Sequence, residues 1–406
     1  MEPRYHGRVK LAALLVVAGC KITGTFPCTT DEQCLSGDTP GFCDNGYCAH
    51  FDIACPSGRR YYDGAAEMSG ECTACTSFGR QLDTCMLMRA TDPLVLSGAN
   101  SYNTDTHVLT TPGGEVSPTH VVADQGTGAA LDLLIVGSFT LSAGAMLRVD
   151  GQAGFGIVAF ESIQIDGLID LTAGGAGTRM CGSASGKTPN NDAGGGPGGG
   201  GGALGGNGGA GGDGDTDQTR TAGGAGGTLI ARPTDVIGGC PGGDGGTADA
   251  AGGTGGGGGG ALYLTAEASI KVSPTGVLNA GGGGGHHGLG AGIGGGGGGG
   301  GSGGMIVLES AIVQVMGVLG ANGGGGGGGG GGSDGQPGST TTAAAGGIGG
   351  SGGSTGGNGG TTGAGAVGAD SIVSAGGGGG GCGFIAIASE ALLATGTVSP
   401  PYEPWP

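Results

Sequence analysis

Three sets of side chains have types and spacings that could do chemistry. Asp150, Asp166 and Asp170 fall on or near outward positions of successive strand-like repeats. Paired carboxylates on such a face can serve as general acid and base on a glycosidic bond. No basic or aromatic cluster accompanies them, and the single tryptophan, Trp405, lies in the terminal Pro-Pro-Tyr-Glu-Pro-Trp-Pro run, so a non-catalytic role is expected. Asp213, Asp215 and Asp217 stand at spacing two, as in a calcium loop. Gln218 occupies the place of that loop's glycine and Gly224 the place of its closing glutamate, which leaves a weak calcium candidate and no required cofactor. His286 and His287 are metal-type ligands in a glycine loop with no nearby acid expected, and are expected to be solvated. Gly186-Lys187-Thr188 ends like a phosphate-binding loop, but Cys181 stands where its opening glycine belongs.

Cysteine supplies the next candidates. Cys28, Cys34, Cys43, Cys48, Cys55, Cys72, Cys75 and Cys85 crowd into 58 residues that hold few large apolar side chains. Such a segment cannot hold itself together by burial, so four disulfides are expected, each contributing roughly 2–4 kcal/mol. Eight cysteines allow about 105 pairings, so connectivity stays open. A zinc site on Cys72 and Cys75 is the alternative, and it lacks a second CxxC. Cys181 and Cys240 share the longest glycine tract and could tie it off as one disulfide, leaving Cys382 unpaired. The stretch PCTTDEQCLSGDTPGFCDNGYC resembles the small disulfide knots near the start of myxobacterial surface lipoproteins. Residues 28–92 are therefore expected to form a disulfide head.

The chain begins with a basic lead, Arg4, Arg8 and Lys10, then an apolar run from Leu11 to Val17 and the junction Val17-Ala18-Gly19-Cys20. That order resembles a bacterial lipoprotein signal, and the run is too short to span a bilayer. The resemblance implies cleavage after residue 19, a lipid on Cys20, and a linker over 20–27. Lys21 is not the aspartate that favours inner-membrane retention, so an outer-membrane or cell-surface address is expected. Removing residues 1–19 takes away three basic residues and one acid, moving the net charge from −18 to −20. No Lys or Arg follows Lys271. Nucleic acid, which needs clustered cations, is excluded as a partner.

The elements that must position these groups are short and β-prone. A phrase recurs as AFESIQIDGLIDLTAGG from Ala159, LTAEASIKVSPTGVLNAGG from Leu264 and VLESAIVQVMGVLGANGG from Val307, with a degenerate copy from Ala386. In each, two alternating apolar residues precede a glycine corner, Gly167, Gly276 or Gly317, and a second short apolar strand follows. Alternation with regular turn signals predicts an all-β domain. Repetition in register is what a parallel β-helix requires, because each coil buries its face on the next. The pattern resembles right-handed β-helix surface proteins of the filamentous-haemagglutinin-like kind; a β-sandwich of the same strands is the alternative. The β-helix is expected over 93–400, with a Pro-rich tail at 401–406.

Glycine-rich insertions at 174–260, 281–304 and 323–382 leave after one copy and return before the next. Within them runs the triplet pattern Gly205-Gly206-Asn207-Gly208-Gly209-Ala210-Gly211-Gly212-Asp213. A period of three matches an extended polyproline-II-type helix, with one side chain per turn. Glycine-rich proteins with polyglycine-II bundles resemble this, and the composition is similar to that of mycobacterial glycine-rich repeat proteins. Ordering a backbone residue costs roughly 1–2 kcal/mol while a hydrogen bond returns roughly 0.5–1.5, so flexible loops are the alternative. The expected function is a lipid-anchored surface structural or adhesive protein, with extracellular polysaccharide or other surface proteins as partners. A carbohydrate-active lyase or hydrolase is the first alternative, and a glycan- or ice-binding surface the second.

Overall fold

The computed structural model describes residues 27–29, 33–36, 39–55, 57–87, 89–126, 130–174, 177, 181–215 and 219–405. The signal segment and Cys20 lie outside the described residues. The chain is almost entirely β, with a few single-turn 3₁₀ helices, and divides into two compact units, Met1–Cys75 and Thr76–Pro406. No helix among the described residues is long and apolar enough to cross a membrane.

The first unit is small and cross-linked. Strands Phe42–Asp44, Tyr47–Phe51 and Arg59–Tyr61 form an antiparallel sheet. The first hairpin turns on Asn45-Gly46, with φ of 49° and 82°, the pair of left-handed residues that a two-residue hairpin demands. Cys43 and Cys48 face each other across that hairpin, yet each bonds elsewhere: Cys28–Cys43, Cys34–Cys48 and Cys55–Cys72. Cys75 and Cys85 are disulfide-bonded as well. Cys28, Cys34 and Cys48 form one buried cluster of the unit, with Cys43 and Tyr62 against it, and Ala49, Tyr61 and Ala65 form another.

In the second unit three parallel ladders repeat in succession. Leu134, Ile157, Leu264, Leu308 and Ile387 pair in register along the first. Leu94, Phe139, Ile163, Ile270, Val313 and Leu392 align along the second. Leu147, Ile169, Leu278, Leu319 and Val398 align along the third. Strands Ala261–Val272 and Met305–Val315 each run through the first two ladders, with a register shift between Ala266 and Ser269 where one ladder passes into the next. Apolar side chains from all three ladders meet in one continuous core. Each buried Ile, Val or Leu there contributes roughly 1.5–3 kcal/mol.

The first ladder is buried on both faces, which explains why its strands read as unbroken apolar runs such as Ala261-Leu262-Tyr263-Leu264. Its outer face carries Leu131, Leu133, Val158, Tyr263 and Val307, covered by Val236, Ile237 and the segment holding Phe78, Leu82 and Leu87. Residues 76–92, assigned by sequence to the head, therefore pack with the second unit, because their apolar side chains close this face. The Pro-rich end is also no loose tail. Glu403–Pro404 pairs with Phe384–Ala388, and Trp405 is buried.

The glycine insertions contain almost no strand, and yet they are hydrogen-bonded throughout. Gly296, Gly299 and Ser302 donate to Gly246, Gly243 and Cys240; Gly297, Gly300 and Gly303 to Ala375, Gly378 and Gly381; Gly298, Gly301 and Gly304 to His286, Gly283 and Ala280. The carbonyls of the same run accept from three further neighbours, around residues 196–202, 253–259 and 324–327. One segment thus has six neighbours, with successive residues turned toward different ones. Segment 375–383 is surrounded in the same way.

Candidate functional site

This lattice decides where side chains are allowed. Inside it a β-carbon has no room: a methyl on Gly299 would overlap the carbonyl of Gly200, and one on Gly380 that of Gly301. Interior runs such as 295–301 and 323–330 are accordingly pure glycine and buried. Outer segments tolerate one side chain in three, the one that points away. Asn207, Ala225, Thr228, Asn358, Ile348 and Val367 are all such exposed third residues.

The chemical types at these outer positions follow from the same geometry. A segment at the rim lacks some of its six neighbours, so some N–H groups have no carbonyl to meet. Side-chain oxygens replace them. Asn207 Oδ1 accepts from the Leu229 amide at 2.7 Å, Asn358 Oδ1 from Gly346 at 2.9 Å, Asp244 Oδ1 from Gly255 at 2.8 Å and Ser333 Oγ from Ile348 at 2.9 Å. The outer face thus carries side chains three residues apart, with Asn207, Ala225 and Thr228 small and Ile348 and Val367 large and exposed.

Asp213 belongs to this rim. Its Oδ1 accepts from the Gly223 amide at 2.9 Å and its Oδ2 pairs with Arg220 at 2.7 Å. The Gly223 hydrogen bond, partly opposed by burial and helped by Arg220, lowers its carboxyl below the usual value. Asp215 is buried at a left-handed φ of 46° and accepts from the Thr219 hydroxyl at 2.7 Å. Asp217 lies outside the described residues. The guanidinium on Asp213 occupies an oxygen that a calcium loop would need.

The remaining sequence candidates are dispersed. Arg148 lies between Asp150 and Asp170, at 3.4 and 3.1 Å, while Asp166 accepts from Gln164 at 2.7 Å. His286 and His287 do have an acid beside them: Asp334, 48 residues downstream of His286, reaches both Nδ1 atoms at 3.2 and 2.7 Å. The expectation of no nearby acid fails because the lattice brings two insertions side by side, through the Gly335 to Gly285 hydrogen bond. Burial raises the Asp334 carboxyl, but the hydrogen bonds from His287 and His286 outweigh it and hold it low. Cys181 and Cys240 form a disulfide. Cys382 is free and buried, and burial pushes its thiol up to about 11, which leaves little reactive thiolate.

No family model matches this chain, and no curated protein or solved structure does either. Its geometry therefore carries the functional argument.

Two polar clusters escaped the sequence reading because their members are far apart in the chain. Glu309, on the outer face of the first ladder, accepts from Tyr263 Oη at 2.5 Å and from the Arg80 amide at 2.9 Å. Arg80 also donates to the Trp405 carbonyl at 2.9 Å, so the network ties the covering segment and the chain end to the ladder. Burial raises the Glu309 carboxyl, against the opposing pull of Tyr263 and Arg80. The second cluster is His107, His120 and Asp132, at the first rung of the ladders. A glutamate inside an apolar run, Val307-Leu308-Glu309, was the one signal that sequence offered for the former.

Proposed function

We propose that this protein is a lipid-anchored, non-catalytic cell-surface protein with a structural or adhesive role, built as a parallel β-helix carrying a polyglycine-II-like lobe. The succession of three parallel ladders, with like residues stacked on like, supports the helical coil. Hydrogen bonding with a period of three, each segment facing several neighbours, supports the polyglycine-II reading. The observation that carries the function is the lobe's outer face. Columns of side chains at a fixed three-residue spacing, held on a lattice of backbone hydrogen bonds, form a pre-organised surface. Such a surface binds a repetitive partner, for example an extracellular polysaccharide, with little ordering cost. The acids singled out as catalytic candidates hold local partners, Arg148 and Gln164, which supports the non-catalytic reading. The anchor rests on the resemblance of residues 1–20 to a lipoprotein signal.

The mature chain, prepared with its disulfides, is incubated with bacterial and plant polysaccharides, and retention and new reducing ends are scored together. Retention without new ends is expected. Release of ends overturns the non-catalytic reading and directs attention to Asp166 and Asp170. Neither retention nor release removes the adhesive half of the proposal and leaves a structural role. Mass spectrometry of the N-terminal peptide is expected to show acyl chains on Cys20, lost in Cys20→Ser.

A further inference from the structure

Asp132 is the least comfortable polar residue in the ladders. Its side chain is completely buried, and its Oδ1 has no hydrogen-bond partner among the described residues. A buried carboxylate oxygen without a partner carries a free-energy cost that native proteins rarely leave uncompensated. Its other oxygen accepts from Tyr102 Oη at 2.7 Å and faces His107 Nδ1 at 2.9 Å. His120 lies two residues from Val122, the register partner of Asp132, and so on the same face of the antiparallel pair. Its ring stacks on that of His107, with centroids 4.1 Å apart and planes 15° from parallel. One ligand atom from each of the three residues lies within 4.8 Å of the others.

The backbone is arranged to hold His107 there. It adopts φ 57°, a left-handed conformation that costs a non-glycine residue about 1 kcal/mol or more. The turn before it is pinned by Asn103 Oδ1, which accepts from the amides of Asp105 and Thr106 at 2.9 and 3.0 Å. The His107 amide closes the turn on the Asn103 carbonyl at 2.8 Å. Strain supported in this way at one histidine, aimed at a buried acid, is the signature of a constrained site.

We propose that His107, His120 and Asp132 bind a divalent transition-metal ion of the zinc class. Two imidazole nitrogens and one carboxylate oxygen are the ligand set that zinc, cobalt and nickel favour over calcium or magnesium. An ion held beside the carboxylate would give Asp132 Oδ1 the partner it lacks among the described residues, and Tyr102, donating to Oδ2, orients the carboxylate. His107 keeps 32 % of its side chain exposed, which leaves a fourth position for water. The ion would link the His107 turn, the strand His120–Asp124 and the strand Ala130–Val136 where the ladders begin.

The test uses the full mature chain, titrated with Zn²⁺ by calorimetry and with Co²⁺ by visible absorption. One equivalent is expected to bind, with a rise in melting temperature. His107→Ala and His120→Ala are each expected to weaken it at least about tenfold, and Tyr102→Phe about tenfold as an orienting partner. His286→Ala combined with His287→Ala, which removes the exposed pair at Asp334, is expected to leave it unchanged. Should a variant fold poorly, the wild-type chain suffices: Co²⁺ is expected to shift the imidazole proton resonances of His107 and His120. No binding by the wild-type chain, or binding that survives His107→Ala and disappears with the His286 and His287 changes, overturns the proposal.

Discussion

The second unit contains two ordered interiors built on opposite principles. In the ladders, order comes from side chains: Leu134, Ile157, Leu264 and Leu308 stack on one another, and the backbone bonds only to the strands beside it. In the lobe, order comes from the backbone: Gly296 through Gly301 each donate one hydrogen bond and accept one, and Ser302, which ends the run, carries only a hydroxymethyl group. The ladders can lose a methylene and partly relax. The lobe has no side chain to lose, but no volume to gain either. Sequence tolerance should therefore run in opposite directions in the two interiors, large-to-small being costly in one and small-to-large in the other.

Leu308→Ala tests the first half and carries the largest expected effect. Leu308 is fully buried between Leu264 and Ile387, so truncation removes apolar contact and leaves a cavity, at a cost of about 2–5 kcal/mol. Denaturant unfolding of the second unit measures it; a change below about 1 kcal/mol would mean that the ladder is not the unit's main source of stability. Gly299→Ala tests the second half. The added methyl meets the Gly200 carbonyl, which is itself bonded into the lattice, so the backbone must shift at a cost of about 1–3 kcal/mol. A change of side chain at an outward position, Thr228→Ala, is expected to stay within about 0.5 kcal/mol. Equal tolerance at Gly299 and Thr228 would break the comparison, because it would mean that the glycines are not close-packed.

How much of this was legible depended on which interior was being read. Alternation at Ile163 and Ile165, repeated at Ile270 and Val272, carries its own register, because side-chain burial leaves a pattern of residue types. The triplet around Asn207 likewise showed which side chains leave the lobe. What sequence could not supply was the identity of each glycine's neighbours, since Gly299 looks the same to Gly243 and Gly200 as any other glycine would. The pairing of His287 with Asp334 was hidden for that reason. His107, His120 and Asp132 were hidden for another: the antiparallel cap on the first ladder brings His120 to Asp132, and the turn after Asn103 brings His107 to both.

The smallest expected effect separates the two interiors by pH. Glu309 clamps the ladder, and burial raises its carboxyl above the ordinary 4.5. The folded state therefore binds this proton more tightly than the unfolded chain does. Its contribution grows as pH falls through the raised value toward 4.5, and Glu309→Gln should flatten stability across that window. Asp213 on the lobe rim behaves oppositely. The Gly223 amide and Arg220 hold its carboxyl below 3.8, so its contribution is complete above 3.8 and is lost as pH falls through the lowered value. Asp192 and Asp334, also held low, act in the same direction. Amide hydrogen exchange, corrected for intrinsic rates, between about pH 5 and pH 2 should therefore show protection falling first at the lobe rim, at Gly223, while Leu308 holds. Asp213→Asn should remove much of the rim's dependence. Loss of protection at Leu308 before Gly223 would reverse the assignment, making the ladder the acid-sensitive interior and the lobe the one that outlasts it.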